Sequence, residues 1–162
     1  MSQLTGGAVP LTSGPAAHSP ERLSPHAGAM SEPTILTYDK CRELLASKVV
    51  GRAAVCTPTG PRIFPVNYAV VDDTIVFRTT AYSVLGTYAW NTQLAFEVEE
   101  IDETERAGWS VVALGRGAIV EDPKELAEIR SAADPTPWAG GMRYLYVRMR
   151  WSELSGRQIG NS

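Results

Sequence analysis

Three β-type segments joined by connections too short for a crossover constrain this fold most. Arg52 to Thr57 reads as a strand, Pro58-Thr59-Gly60-Pro61 as a turn, and Arg62 to Val71 as a second strand. Asp72-Asp73 is a tight turn into a third strand, Thr74 to Thr80. Strands linked this closely pair antiparallel, because a parallel pair needs a long crossover. Leu94 to Glu100 reads as a fourth strand, Trp109 to Glu121 as a long fifth, and Met142 to Trp151 as a sixth. Short helices are predicted over Tyr38 to Lys48, with Thr37 as N-cap, over Tyr82 to Asn91, and from Asp122-Pro123 to about Ala133. The sum is a mainly β protein: six mostly antiparallel strands with a few short helices, closed or split as a small barrel so that no long edge stays exposed. Gly115 and Gly117 lie inside the fifth strand, where glycine marks a bulge, a barrel corner or a close approach.

Residues 1–33 differ in character from the rest. They hold Pro10, Pro15, Pro20, Pro25 and Pro33, many small residues and no aromatic one. Such a segment buries too little surface to offset its ordering entropy. A disordered tail over 1–33 and a single domain over 34–162 are therefore expected. A chain beginning at Met30 is predicted to keep the melting temperature of the full chain, and a scanning calorimetry trace showing a fall of many degrees would contradict this.

Composition excludes several function classes. The net charge of −3 gives no basic excess for nucleic acid or an anionic membrane. No long apolar run spans a bilayer. Cys41 and Cys56 match no zinc spacing and read as reduced core thiols in a cytoplasmic protein. The only histidines, His18 and His26, fall in the tail. The domain thus has no imidazole base, no Ser-His-Asp triad and no histidine metal ligand. Glu97, Glu99, Glu100, Asp102, Glu103 and Glu105 lack a calcium-loop pattern and read as a solvated turn. No metal site is expected, and chemistry has to come from other groups or a bound cofactor.

An ordered set of motifs carries a resemblance. Pro65-Val66-Asn67-Tyr68, Ile75-Val76-Phe77-Arg78-Thr79, Ala95-Phe96-Glu97-Val98, Gly108-Trp109-Ser110-Val111, Gly115-Arg116-Gly117-Ala118, Pro137-Trp138-Ala139 and Gly156-Arg157 together resemble the pyridoxamine 5′-phosphate oxidase-like family, in its Gly-Trp-Ser-Val, actinobacterial subgroup. The resemblance runs from Leu36 to Ile159. It implies a six-stranded split barrel and a homodimer with two equivalent flavin mononucleotide (FMN) sites at the subunit interface. It also implies a flavin-dependent oxidoreductase acting on a small molecule. Two other functions remain open: a deazaflavin-dependent reductase on the same scaffold, and a non-catalytic flavin-binding dimer. True pyridoxamine phosphate oxidase activity is not expected, because the authentic enzyme's Arg-x-His pair is absent from Ser155-Gly156-Arg157-Gln158-Ile159.

The same resemblance locates the cofactor residues. Arg78 stands where the family binds phosphate, and a guanidinium can bond two phosphate oxygens at once. Thr79, Thr80 and Ser83 are candidate additional donors. Family members often carry a lysine just beyond, where this chain has Val84. A lost charge-assisted contact is worth about 1.5–3 kcal/mol, or roughly tenfold or more in affinity. Asn67 and Tyr68, with Trp109 and Ser110 from the other subunit, are candidates for the flavin ring. Strict alternation puts Trp109 and Ser110 on opposite faces, so both serve one pocket only through a bulge or a backbone group. Arg116 is expected to pair with the acidic loop, and Trp138 to fix its own loop. Arg62, Arg143, Arg148 and Arg150 are candidates to line a basic groove for a deazaflavin tail. No catalytic residue is assigned.

Overall fold

The computed structural model describes residues 32–160; the expected tail over 1–33 lies almost wholly outside them. Alternation of buried and exposed positions builds the strands. These are β1 (Thr34–Ile35), β2 (Val50–Thr57), β3 (Gly60–Val71), β4 (Thr74–Thr79), β5 (Gln93–Asp102), β6 (Ala107–Ile119) and β7 (Leu145–Ile159). The helices are α1 (Tyr38–Ala46), α2 (Val84–Tyr88) and α3 (Pro123–Ala133). The strand order is β1-β7-β4-β3-β2-β5-β6, and β6 also pairs with β7, so β2 to β7 close into a six-stranded antiparallel barrel. Two-residue β1 adds to β7. Among the described residues no helix is long and apolar enough to cross a membrane.

The barrel interior takes every second residue. On β6 these are Trp109, Val111 and Ala113, all buried. They meet Phe77 from β4, Phe96 and Val98 from β5 and Met149 from β7. β4 is buried on both faces. Ile75 and Phe77 enter the barrel, while Val76 packs outward with Val120, Ile129 and Tyr146 beneath α3. The turns follow their local chemistry. Asp72 and Asp73 hold φ of 47° and 57°, the paired left-handed geometry of a two-residue hairpin. Thr37 Oγ1 accepts from Lys40 N at the start of α1, and Asp122 caps α3 with Pro123 in its first turn.

Two strands run further than expected. β7 continues through Ser152 to Ile159 because closure of the barrel gives those polar residues partners on β6. β5 runs on to Asp102 because Ile101 and Asp102 sit in register with Gly108 and Ala107. The acidic stretch therefore turns only at 103–106, where Asp102 Oδ1 accepts from the backbone N–H groups of Thr104 and Glu105. Both glycines inside β6 have a structural reason. The register shifts between Leu114 and Gly115. At Gly117 a Cβ would strike the Ala89 carbonyl oxygen.

Candidate functional site

The candidate cofactor residues fall into two groups. The first gathers at the C-terminal end of β4, opposite the middle of β3, beside α2 and the segment 134–144. Arg78 leaves β4 on the α3 side and is about one-fifth exposed. Its Nε–H donates to the Arg143 carbonyl oxygen at 3.0 Å. Its Nη1 lies 3.6 Å from Asp134 Oδ2, and its guanidinium lies 5.0 Å from the centre of the Tyr146 ring. Asp134 is itself anchored, because its Oδ1 accepts from the Tyr146 hydroxyl at 2.9 Å. Arg143 carries a buried Nε–H with no acceptor. A buried donor without a partner is costly. An orphaned donor on the residue that already binds Arg78 fits an anionic oxygen such as a phosphate supplies. Asp134, Arg143 and Tyr146 were missed as members of this group. The available signal was the Pro- and Gly-rich composition of 134–141, which marked a loop without showing what it covers.

Thr79 and Ser83 serve α2. Ser83 Oγ accepts from Gly86 N at 2.9 Å and donates to the Thr80 carbonyl oxygen at 2.8 Å. The Thr79 hydroxyl, 2.9 Å away, is then the donor to Ser83 Oγ. Each hydroxyl has one proton, so both are engaged in the cap of a one-turn helix and neither has a donor left for phosphate. Thr80 is exposed, and its hydroxyl remains open.

Asn67 and Tyr68 are split by strand parity. Asn67 faces outward; its Oδ1 accepts from Trp138 N at 2.8 Å and its Nδ2 donates to the Val49 carbonyl oxygen. One N–H and one lone pair remain. Trp138 is thereby held through its backbone while its indole stays exposed. Tyr68 faces the core, 3% exposed, edge-on to Phe96 with centroids 4.8 Å apart, and its hydroxyl donates to the Leu45 carbonyl oxygen. Within the chain its side chain thus packs the barrel instead of a surface pocket. Burial pushes the Tyr68 phenol well above its ordinary 10.0 and the Cys41 thiol above 9.0. The folded state therefore holds these protons more tightly than the unfolded chain. Their contribution to stability is complete below the ordinary values and falls as pH rises past them. Tyr68→Phe is expected to cost about 1–3 kcal/mol at neutral pH, by orphaning the Leu45 carbonyl. It should also flatten the decline in stability above about pH 10. Urea titrations across that range check both, and an unchanged alkaline slope would contradict the second.

The second group lies across the outer face of β5, β6 and β7. Trp109 and Ser110 line a cavity of about 730 Å³ that also takes in Ile35, Val112, Arg157 and Ile159. Trp109 is 8% exposed, its ring turned to the core under Lys48, whose Nζ stands 5.5 Å from the ring centre. Ser110 sits opposite Arg157 in the ladder. The Arg157 guanidinium has no hydrogen bond or ion pair among the described residues. Neither Arg78 nor Asn67 lines this cavity, so one chain does not bring the two groups into a single pocket.

Two sequence expectations about arginine are corrected. Arg116 does not meet the acidic loop; its Nη1 donates to the carbonyl and side-chain oxygens of Asn91. The four arginines considered for one groove are dispersed. Arg62 reaches Thr59 at the β2–β3 hairpin, Arg143 lies by Arg78, and only Arg148 and Arg150 share a surface.

Comparison with known proteins agrees with the fold. The chain is similar to the FAD binding protein from Mycobacterium smegmatis at 32% identity, covering 78% of this chain and 98% of that one with a TM-score of 0.66. It is similar to a conserved protein of unknown function from Corynebacterium diphtheriae at 31% identity, covering 79% and 98% of the two chains with a TM-score of 0.66. An uncharacterized protein of Mycobacterium tuberculosis is 32% identical over 119 residues, 70% of this chain and 77% of that protein. The family model described as pyridoxamine 5′-phosphate oxidase matches residues 37–158. With the split barrel closed by β6 and β7 and that match spanning most of the domain, the chain belongs to the pyridoxamine 5′-phosphate oxidase family.

Proposed function

We propose that two copies of the chain form a homodimer with two equivalent flavin sites, and that the protein is a flavin-dependent oxidoreductase. The observation that carries this reading is the division of the candidate residues into two half-sites on one chain. A flavin needs a phosphate anchor and a flat wall with a few polar groups. Arg78, Thr80 and Asn67 offer the first half; Trp109, Ser110 and Arg157 border the second. A two-fold axis would set one copy's Arg78 half against the other's 730 Å³ cavity, twice over.

In this arrangement Arg78 binds the phosphate in competition with Asp134, and the Arg143 Nε–H gains its missing acceptor. The spare N–H and lone pair of Asn67 orient the ring. A bound flavin supplies hydride or electron transfer, which needs no protein imidazole. FMN is the form the phosphate half-site suits, and the FAD bound by the Mycobacterium smegmatis relative makes FAD its competitor.

A second reading, a non-catalytic dimer that binds flavin weakly, is favoured by Val84. This residue stands 42% exposed at the start of α2, where family members often carry lysine. The absorbance spectrum of the freshly purified protein tests the choice. A flavin band pair is expected; a deazaflavin band selects the deazaflavin-dependent reductase, and no band selects the non-catalytic dimer. Light scattering at micromolar concentration is expected to give twice the chain mass, and a stable monomer would overturn the shared site.

A further inference from the structure

A third arginine cluster shares no lining residue with the 730 Å³ cavity. Arg116 of β6 and Arg150 of β7 are direct cross-strand partners, and Arg148 follows two residues along, opposite Ala118. Like charges placed opposite one another across an antiparallel pair cost stability. The surroundings cancel that charge only in part. Glu125 Oε1 lies 3.2 Å from Arg148 Nε. Arg116 uses Nη1 on Asn91, which leaves Nε and Nη2 as donors. The Arg150 guanidinium has no hydrogen bond or ion pair among the described residues. Asp72, Glu125 and Glu128 line a neighbouring cavity on the other side of Arg148 and Arg150. The cavity between the arginines and Trp90, about 310 Å³, has no carboxylate in its lining.

The walls of this cavity are held in place. Asn91, at φ 53°, donates its N–H to the Gly117 carbonyl oxygen at 2.9 Å, and the Gly117 N–H returns to the Thr92 carbonyl oxygen at 3.0 Å. Ala89 lies so close to β6 that only glycine fits at 117. The turn that grips Arg116 is thus clamped to the strand Arg116 leaves, and the guanidinium is oriented before any ligand arrives. Beside it Trp90 presents an indole that is 61% exposed. Planar guanidinium groups match phosphate oxygens, and an exposed indole offers a stacking face for a base.

We propose that the Trp90–Arg116–Arg150 cavity binds a nucleoside phosphate, with the base on the indole and the phosphate on the two facing arginines. Such a group is either a free nucleotide or the adenylate half of a dinucleotide. The site stands whether or not the flavin half-sites are correct. Calorimetric titration of the full chain with AMP, adenosine and inorganic phosphate tests it. AMP is expected to bind at least tenfold more tightly than either fragment. Arg150→Ala and Trp90→Ala should each weaken AMP by about tenfold or more. Removing one of two opposed cations should leave the melting temperature of unliganded Arg150→Ala unchanged or higher, which separates lost binding from lost folding. Parallel titrations with FAD and FMN identify the source. Weakening of FAD but not FMN by Arg150→Ala assigns the adenylate half of a dinucleotide. FAD left unchanged while AMP is weakened assigns a free nucleotide. AMP binding no tighter than phosphate, or AMP binding untouched by both substitutions, overturns the proposal.

Discussion

Arg78→Ala is expected to lower affinity for FMN by roughly a hundredfold, about 3 kcal/mol, while leaving affinity for riboflavin unchanged. The size follows from what remains once the hydroxyls are accounted for. Thr79 and Ser83 have their protons in the α2 cap, and Val84 brings no charge, so the proposed site leaves Arg78 as its principal anchor. The substitution also frees the Arg143 carbonyl and Asp134. The stability cost of about 1 kcal/mol is too small to unfold a domain of ordinary stability. Val84→Lys is the converse. Residue 84 is 42% exposed, so a lysine there has room. Its penalty at a helix N-terminus, about 0.3–1 kcal/mol, is smaller than the 1.5–3 kcal/mol of a charge-assisted contact. FMN should therefore bind more tightly and riboflavin should not. Flavin fluorescence quenching measures all four combinations. If both substitutions are silent, the phosphate does not sit at the end of β4.

The largest effect on stability is expected from Phe96→Ala, about 3–5 kcal/mol. Phe96 is 1% exposed on β5. Its ring meets Tyr68 edge-on and stacks at 6.5 Å on Phe77. It also fills the space over Gly51, where a Cβ would strike it. Removing the ring leaves a cavity bounded by three strands with little freedom to collapse. Urea unfolding should show a lower midpoint with an unchanged slope. Ile63→Ala, at a position 64% exposed on β3, should stay within about 0.5 kcal/mol. A Phe96→Ala loss as small as the control's would mean that this packing does not hold the barrel together.

Most of the barrel was legible because its strands carry the period-2 pattern and its hairpins carry turn chemistry. The Asp72-Asp73 turn and the Thr37 and Asp122 caps are local signals, and local signals suffice for them. The end of β7 was not legible. Ser152, Glu153, Ser155 and Arg157 look like loop residues until β6 lies beside them and supplies the ladder. The two glycines of β6 announced a distortion, but which of them sits at the register shift with β7 and which admits Ala89 depends on contacts far along the chain. The site was legible as residue types and not as directions. Asn67 and Tyr68 are neighbours on one strand, so one faces the core and the other faces out. Thr79 and Ser83 have the chemistry of phosphate donors, yet a cap four residues long claims both hydroxyls. Arg143 and Asp134 could not be found from spacing, since Arg78 reaches them across more than fifty residues of chain.

In the proposed dimer, flavin is held between two subunits. Sedimentation velocity followed at both protein and flavin wavelengths, with FMN in slight excess, tests it most directly. Flavin absorbance is predicted to move only with the dimer, at one flavin per subunit. Added FMN is also predicted to tighten the dimer, because a ligand that needs both subunits stabilises their association. Flavin moving with a monomer, or a dimer that carries none, would contradict the account.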